Sequence, residues 1–347
     1  MSFDLPKLQD INLTGKTVLV RAELNAPMEN GEIKDATRLQ AVCSTLALCI
    51  EKGARKIVVL GKLGRPKGGY EESLSQKPLV AYFNNCLGEE LGFVEYKPFE
   101  QFGEVVDAIK NDGHRVVLLE NVRFWDEEGS NNEEFARQLS TCGDIYVNDA
   151  FGVSHRSEAT IVGIPKFLPR CVGVQFAMEV ENLSLVLDNP KRPVVTILSG
   201  AKEDKLEYLD DFIRISDRVL VGGLLPTFLG EDYKNDKVAL GRLIQDKEDI
   251  TKNTAESFAL EIAKAGTIVV SGPLGKFEDP GHRQGTKEVF EAVANSSAFK
   301  VAGGGDTGRA IAMLGLTEKF DFVSTGGGAM LEFLAKGTLP GITALLN

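Results

Sequence analysis

Cations recur where β-branched runs of this chain end. TVLVRAELN places Arg21, Glu23 and Asn25 two residues apart, on one face if the segment is extended, and Arg38 follows at the start of the next helical pattern. KIVVLG runs into KLGRPKG, with Lys62, Arg65 and Lys67; VVLLE runs into NVRF, with Arg123; DIYVNDAFG runs into VSHR, with His155 and Arg156. Arginine suits an anion site because its planar fork grips a carboxylate or phosphate through two hydrogen bonds at once. Any one of these residues also reads as a solvated loop charge. The set reads as an anion site assembled from separate loops outside the carboxyl ends of strands.

In the second half, the strand-like runs deliver glycine. VVTILS leads to GAKEDK, RVLV to GGLLP, TIVVS to GPLGKFE, AFKVA to GGGDTGRA and FDFVST to GGGAM. Backbone N–H groups at helix starts, with the helix dipole behind them, receive phosphate, and a Cβ would hold the phosphate away. The triple glycine Gly326–Gly328 also reads as a tight turn, and Asp306 as a helix N-cap before GRAIAML. The stretch GGGDTG matches G-x-G-x-x-G but sits late in its domain, and no acidic residue ends the next strand to hold a ribose. A dinucleotide site is therefore not expected, and no Walker A sequence is present.

The elements that must carry these groups alternate almost from end to end, short apolar runs with helical patterns. That order predicts two α/β domains, each a doubly wound, Rossmann-like parallel sheet. The period of Leu39, Val42, Leu46 and Ile50 predicts a helix over 36–53, capped by Asp35 and ended by Gly53. The segment 167–193 breaks the alternation, with prolines either side of one helical run, and predicts a hinge helix. The expected division is 1–170, a hinge at 171–192, a second domain at 193–335 and a tail at 336–347.

A length of 347 residues suits two domains, and a net charge of −11 argues against nucleic acid as the main partner. In so acidic a chain, the field that draws an anion must be local. The N-terminus MSFDLPKLQD lacks a signal-peptide pattern, and no stretch is long and apolar enough for a membrane helix. Five cysteines without C-x-x-C spacing predict buried thiols in a reducing cytosol. The three histidines show no evident carboxylate partner.

The motifs RAELNAP, LGRPKG, ENVRF, NDAFGVSHR, GAKEDK, GPLGKFE, GGGDTG and STGGGAMLEF, in this order, resemble the phosphoglycerate kinases across nearly the whole chain. The resemblance implies a cytoplasmic monomer that binds 3-phosphoglycerate in its N-terminal domain and Mg-ADP or Mg-ATP in its C-terminal domain. It also implies a tail, KGTLPGITALLN, that crosses back to the N-terminal domain, and hinge closure that brings the two ligands together.

Carried over by motif, Asn25, Arg38, Arg65, Arg123 and Arg156 fall on substrate-binding positions, with Arg38 also catalytic. Arg21, Glu23 and Lys62 are expected in the same wall. Lys202 falls on the lysine that reaches the moving phosphoryl group, and Lys205 on a second lysine. Gly200, Ala201, Gly223, Pro273, Gly275 and Glu278 match nucleotide contacts, with Glu278 at the ribose. Asp306 matches the magnesium-binding aspartate, Thr307 a phosphate contact, and Gly326, Gly327 and Gly328 the loop whose amides receive the phosphoryl group.

Glu23 stands where the family usually has Asp, Lys62 where it usually has His, and Ser271 where it usually has Asn. GAKEDK is one residue shorter than the family loop, and 230–265 is too short for the segment that usually helps enclose the base. A carboxylate acceptor is already ionised at pH 7 and needs no general base, so the expected chemistry is alignment and charge around an in-line transfer. Two alternatives stay open: a nucleotide-binding paralogue without turnover, and a kinase of a related phosphorylated carboxylic acid.

Overall fold

A computed structural model describes residues 3–96, 101–230 and 232–346. The chain forms two compact units, one of residues 3–179 with 339–347, the other of residues 180–338. The boundary falls within the helix Val174–Asp188.

The strands of the first unit are β1 (Thr17–Arg21), the short β2 (Met28–Glu29) and β3 (Glu32–Ile33), β4 (Lys56–Leu60), β5 (Leu91–Val94), β6 (Val116–Leu119), β7 (Ile145–Asn148) and β8 (Arg170–Val172). Six of them make one sheet in the order β5-β6-β4-β1-β7-β8, parallel throughout, with Val18 opposite both Ile57 and Ile145. Helices cover both faces, so β1, β6 and β7 are buried along their whole length and read as unbroken apolar runs rather than alternating ones. The antiparallel pair β2–β3 turns on Asn30 and Gly31, both at positive φ, which a two-residue hairpin of this hand requires.

The second unit repeats the plan with β9 (Val194–Leu198), β10 (Arg218–Val221), β11 (Val238–Leu240), β12 (Thr267–Ser271), β13 (Phe299–Gly303) and β14 (Phe322–Ser324). Their order is β11-β10-β9-β12-β13-β14, again parallel. The sheet reverses direction of growth between β9 and β12, the kind of switch point where such folds open a crevice at the strand ends. Val195, Ile197, Ile268 and Val270 pack with Phe258 and Phe290 in its core.

Two local expectations are corrected. The helix Thr37–Glu51 begins one residue later than predicted, with Ala36 at its cap. Asp35 still serves it from outside, its Oδ1 accepting from the Thr37 amide at 2.9 Å and the Thr37 hydroxyl at 2.6 Å. The cysteines are not all buried thiols: Cys43 on this helix and Cys86 on the helix Leu79–Leu87 form a disulfide, and Cys86 is exposed. The two helices pack side by side, a proximity that spacing along the chain does not show. Cys49, Cys142 and Cys171 are buried thiols, and burial pushes Cys142 up to about 11 and the other two up to about 12. No single described helix is long and apolar enough to cross a membrane.

Asp35 caps two donors at the helix that carries Arg38. Asp35→Ala is expected to destabilise the protein by about 1 kcal/mol, read as a lower urea midpoint at unchanged slope.

Candidate active site

Parallel pairing brings the loops after β1, β4, β6 and β7 to one edge of the first sheet, and three of those loops interlock. Asn25 Oδ1 accepts from the Gly64 amide at 2.8 Å, and the Asn25 carbonyl accepts from Arg38 Nη1 at 2.7 Å. Arg123 Nη1 donates to the Gly64 carbonyl at 3.3 Å, and its Nη2 donates to Glu158 Oε1. Arg156 Nη1 stands 3.8 Å from the same oxygen. Asn25, Arg38, Arg123 and Arg156 are thus brought together. Arg65 is exposed beside Gly64 and has no ion pair among the described residues.

Glu23 and Lys62 are buried in the same region, 6 % and 8 % exposed. Burial pushes the Lys62 ammonium down to about 8, against the pull of Glu23 and with help from the Arg123 charge. His155, half-buried, is pushed down by burial and by Arg156. A lysine so placed, with no hydrogen bond among the described residues, offers its charge to an incoming anion.

Arg21 is corrected. It was expected in one wall with Glu23 and Asn25, but it is the last residue of β1 and turns inward. Its side chain is fully buried, donating from Nε to Thr160 Oγ1 and from Nη1 to the Ala22 carbonyl, both at 2.7 Å. Its remaining nitrogen, Nη2, is buried 3.8 Å from Glu158 Oε2.

In the second unit, the glycine loops lie against one another. Gly223 has φ +58, and a Cβ there would stand 2.5 Å from the Gly200 carbonyl oxygen. A Cβ on Gly327 would stand 2.6 Å from Gly304 Cα. At these positions glycine serves backbone-to-backbone packing of neighbouring loops, a reason the sequence reading did not give. The helix Gly327–Lys336 starts at the triple glycine. The Gly326 amide is spent on Ser324 Oγ at 3.2 Å, whereas Gly327 and Gly328 lie in the first turn, where N–H groups have no intrahelical partner.

Lys205 is braced, Nζ donating to the carbonyls of Ser199 at 2.6 Å and Ser271 at 3.3 Å, and burial pushes it down to about 8 while Asp306 opposes. Lys202 and Ala201 are exposed. Pro273 accepts from Ser199 Oγ, and the Gly275 amide donates to Thr286 Oγ1. The buried Thr307 hydroxyl accepts from the Gly272 amide at 2.8 Å, joining the loop after β12 to the helix Gly305–Met313. Its own proton has no acceptor among the described residues. Glu278 and Asp306 are both held by Arg309 Nη2, at 3.0 and 2.8 Å.

The family model for phosphoglycerate kinase matches residues 8–239 and 230–337. The chain belongs to the phosphoglycerate kinase family. Phosphoglycerate kinase of Gloeobacter violaceus is 37% identical, over 96% of each chain, and that of Finegoldia magna 34% identical, over 97% of this chain and 98% of its own. The solved phosphoglycerate kinase from Pyrococcus horikoshii superposes with a TM-score of 0.84 at 30% identity, and that from Coxiella burnetii with 0.81 at 30%, each over 98% of both chains. Family membership makes the chain an enzyme, a kinase with two Rossmann-like domains.

Sequence reasoning missed several partners of these kinase positions. Arg309 carried no signal beyond its i+3 spacing from Asp306, and Glu158 none at all. The expectation that no histidine meets a carboxylate is corrected. His282 Nδ1 lies 2.8 Å from Asp279 and Nε2 3.1 Å from Asp246, raising the histidine and joining the loop after β12 to the segment before Asp249.

Gly223→Ala strains a left-handed backbone and drives a methyl group against the Gly200 carbonyl. The variant is expected to lose about 1–3 kcal/mol of stability, read by chemical denaturation, with a larger loss of ATP affinity than of acceptor affinity in the folded fraction.

Proposed function

We propose that this chain transfers a phosphoryl group reversibly between Mg-ATP and the carboxylate of 3-phosphoglycerate, giving ADP and 1,3-bisphosphoglycerate, as a cytoplasmic monomer. One observation carries the reading. The first unit ends its strands in guanidinium and ammonium groups around Gly64, and the second ends its strands in glycine amides with two lysines.

Each side has a defined task. Asn25, Arg38, Arg65, Arg123, Arg156 and the buried Lys62 bind the phosphorylated acid, with Glu23 beside Lys62 for its hydroxyl. The acid arrives as an anion, so no proton has to be removed. Gly200, Ala201, Gly223, Pro273, Gly275 and Thr307 receive the nucleotide, and Glu278 reaches the ribose. The exposed Lys202 follows the moving phosphoryl group, and Lys205 keeps its charge beside it from a fixed seat on two strand-end carbonyls. The amides of the triple-glycine loop, Gly327 and Gly328 foremost, accept charge as it develops on the equatorial oxygens.

A magnesium ion fits at Asp306. Its carboxylate is 70 % exposed at the first turn of a helix, and magnesium is commonly held by one or two carboxylates together with substrate phosphates and water, so Asp306 would hold it. When bound, the ion neutralises β- and γ-phosphate charge. Arg309, which holds Asp306 here, must share it.

Purified protein with Mg-ATP and 3-phosphoglycerate is expected to yield an acyl phosphate that hydroxylamine traps. Arg38→Ala is expected to lower kcat by about 10²–10³. Absence of product from folded protein that binds both ligands would overturn the reading.

The Lys62 ammonium is charged below about pH 8 and neutral above it, because folding lowers its affinity for a proton. An anionic acceptor is held by the charged form. The KM for 3-phosphoglycerate is therefore expected to rise as pH climbs past about 8 and to stay flat in Lys62→Arg, which keeps its charge.

A further inference from the structure

Glu158 lies among the arginines of the first unit and is none of the residues assigned a task above. Its side chain is 7 % exposed, yet three guanidinium groups converge on it. Oε1 accepts from Arg123 Nη2 and stands 3.8 Å from Arg156 Nη1. Oε2 stands 3.8 Å from Arg21 Nη2, and neither of these two buried atoms has a hydrogen-bond partner among the described residues.

Arg21 is itself held from behind. Its Nε donates to Thr160 Oγ1, and the Thr160 hydroxyl donates onward to Glu128 Oε1 at 2.5 Å, while the Thr160 amide donates to Glu128 Oε2 at 2.9 Å. Glu128 is fully buried, and burial pushes it up to about 7. The series runs by hydrogen bonds from Glu128 through Thr160 to Arg21, then by charge alone, across 3.8 Å, to Glu158, and by a hydrogen bond again to Arg123.

An ion pair serving stability alone would close between Arg21 and Glu158, both buried. Instead the short contact of Glu158 goes outward to Arg123, whose other terminal nitrogen already reaches the Gly64 carbonyl. A guanidinium held at two points keeps one orientation before the anion arrives, so less freedom is lost on binding. We propose that Glu158 is a positioning residue for the acceptor. It fixes the Arg123 fork, sets the separation of Arg123 from Arg156, and takes its own place from the buried Arg21.

The proposal rests on the reading that Arg123 and Arg156 bind the phosphorylated acid. The test is steady-state kinetics of the full chain in both substrates, with thermal unfolding alongside, for Glu158→Asp, Glu158→Gln and Glu158→Ala. Aspartate keeps the charge that faces Arg21 but withdraws its oxygens from Arg123 by one methylene. The expected result is a 3-phosphoglycerate KM about tenfold higher in Glu158→Asp and Glu158→Ala, against an ATP KM within twofold of wild type. Glutamine keeps the reach with one acceptor oxygen, and the expected rise is about threefold. Should the alanine variant fail to fold, the aspartate and glutamine variants carry the comparison. An acceptor KM within twofold of wild type in both, or equal rises for both substrates, would overturn the positioning role. A wild-type chain without turnover would overturn the function reading and this proposal with it; turnover with unmoved variants would overturn the Glu158 role alone.

Discussion

Parallel strand pairing imposes one constraint on everything else in this molecule: all strands of a sheet leave it through the same edge. Residues far apart in the chain therefore meet in the loops beyond that edge, and each unit concentrates one kind of chemistry there. In the first unit the loops bring side-chain cations, and in the second they bring backbone amides. The cost is crowding, because six loops share one edge. Gly223 against Gly200 and Gly327 against Gly304 show how close the backbones come.

Crowding of charge has a different remedy. The first unit sets Arg38, Arg123 and Arg156 close together within a protein of net charge −11. Part of that repulsion is offset by the buried Glu158, whose Oε1 faces Arg123 and Arg156. Behind it lie the buried Arg21 and, through Thr160, Glu128. Burying such pairs gives little net stability by itself, since desolvation cancels much of the attraction. What it gives is a fixed geometry for the charges that remain exposed.

The sequence made the fold legible because buried parallel strands are uninterrupted apolar runs, as in TVLVR and TIVVS, and because each run ends in a residue type with a task. Arg38, Arg123, Lys202 and the triple glycine could be picked out from their places after those runs. Arg21 misled because its place at a strand end does not reveal that its side chain is taken inside the unit by Thr160 and the Ala22 carbonyl. Glu158 could not be found: its neighbour series joins Arg21 to Thr160 across 139 residues, and a carboxylate in RSEAT looks like any surface acid. His282 and the Cys43–Cys86 pair escaped for the same reason, contacts made by tertiary packing alone. For the glycines the sequence suggested phosphate contact, and the structure adds a second demand, close packing of neighbouring loops at Gly223 and Gly327.

The tail changes the order in which the molecule can be completed. Leu339, Ile342 and Leu345 are buried in the unit otherwise built from 3–179, and the Gly341 amide donates to the Ser154 carbonyl. Residues 180–338 lie between these two parts of the chain. A ribosome releases the chain from the N-terminus, at roughly 5–20 residues per second. The unit begun first is therefore the one finished last: its core waits for a segment made only after the whole of the other unit has emerged.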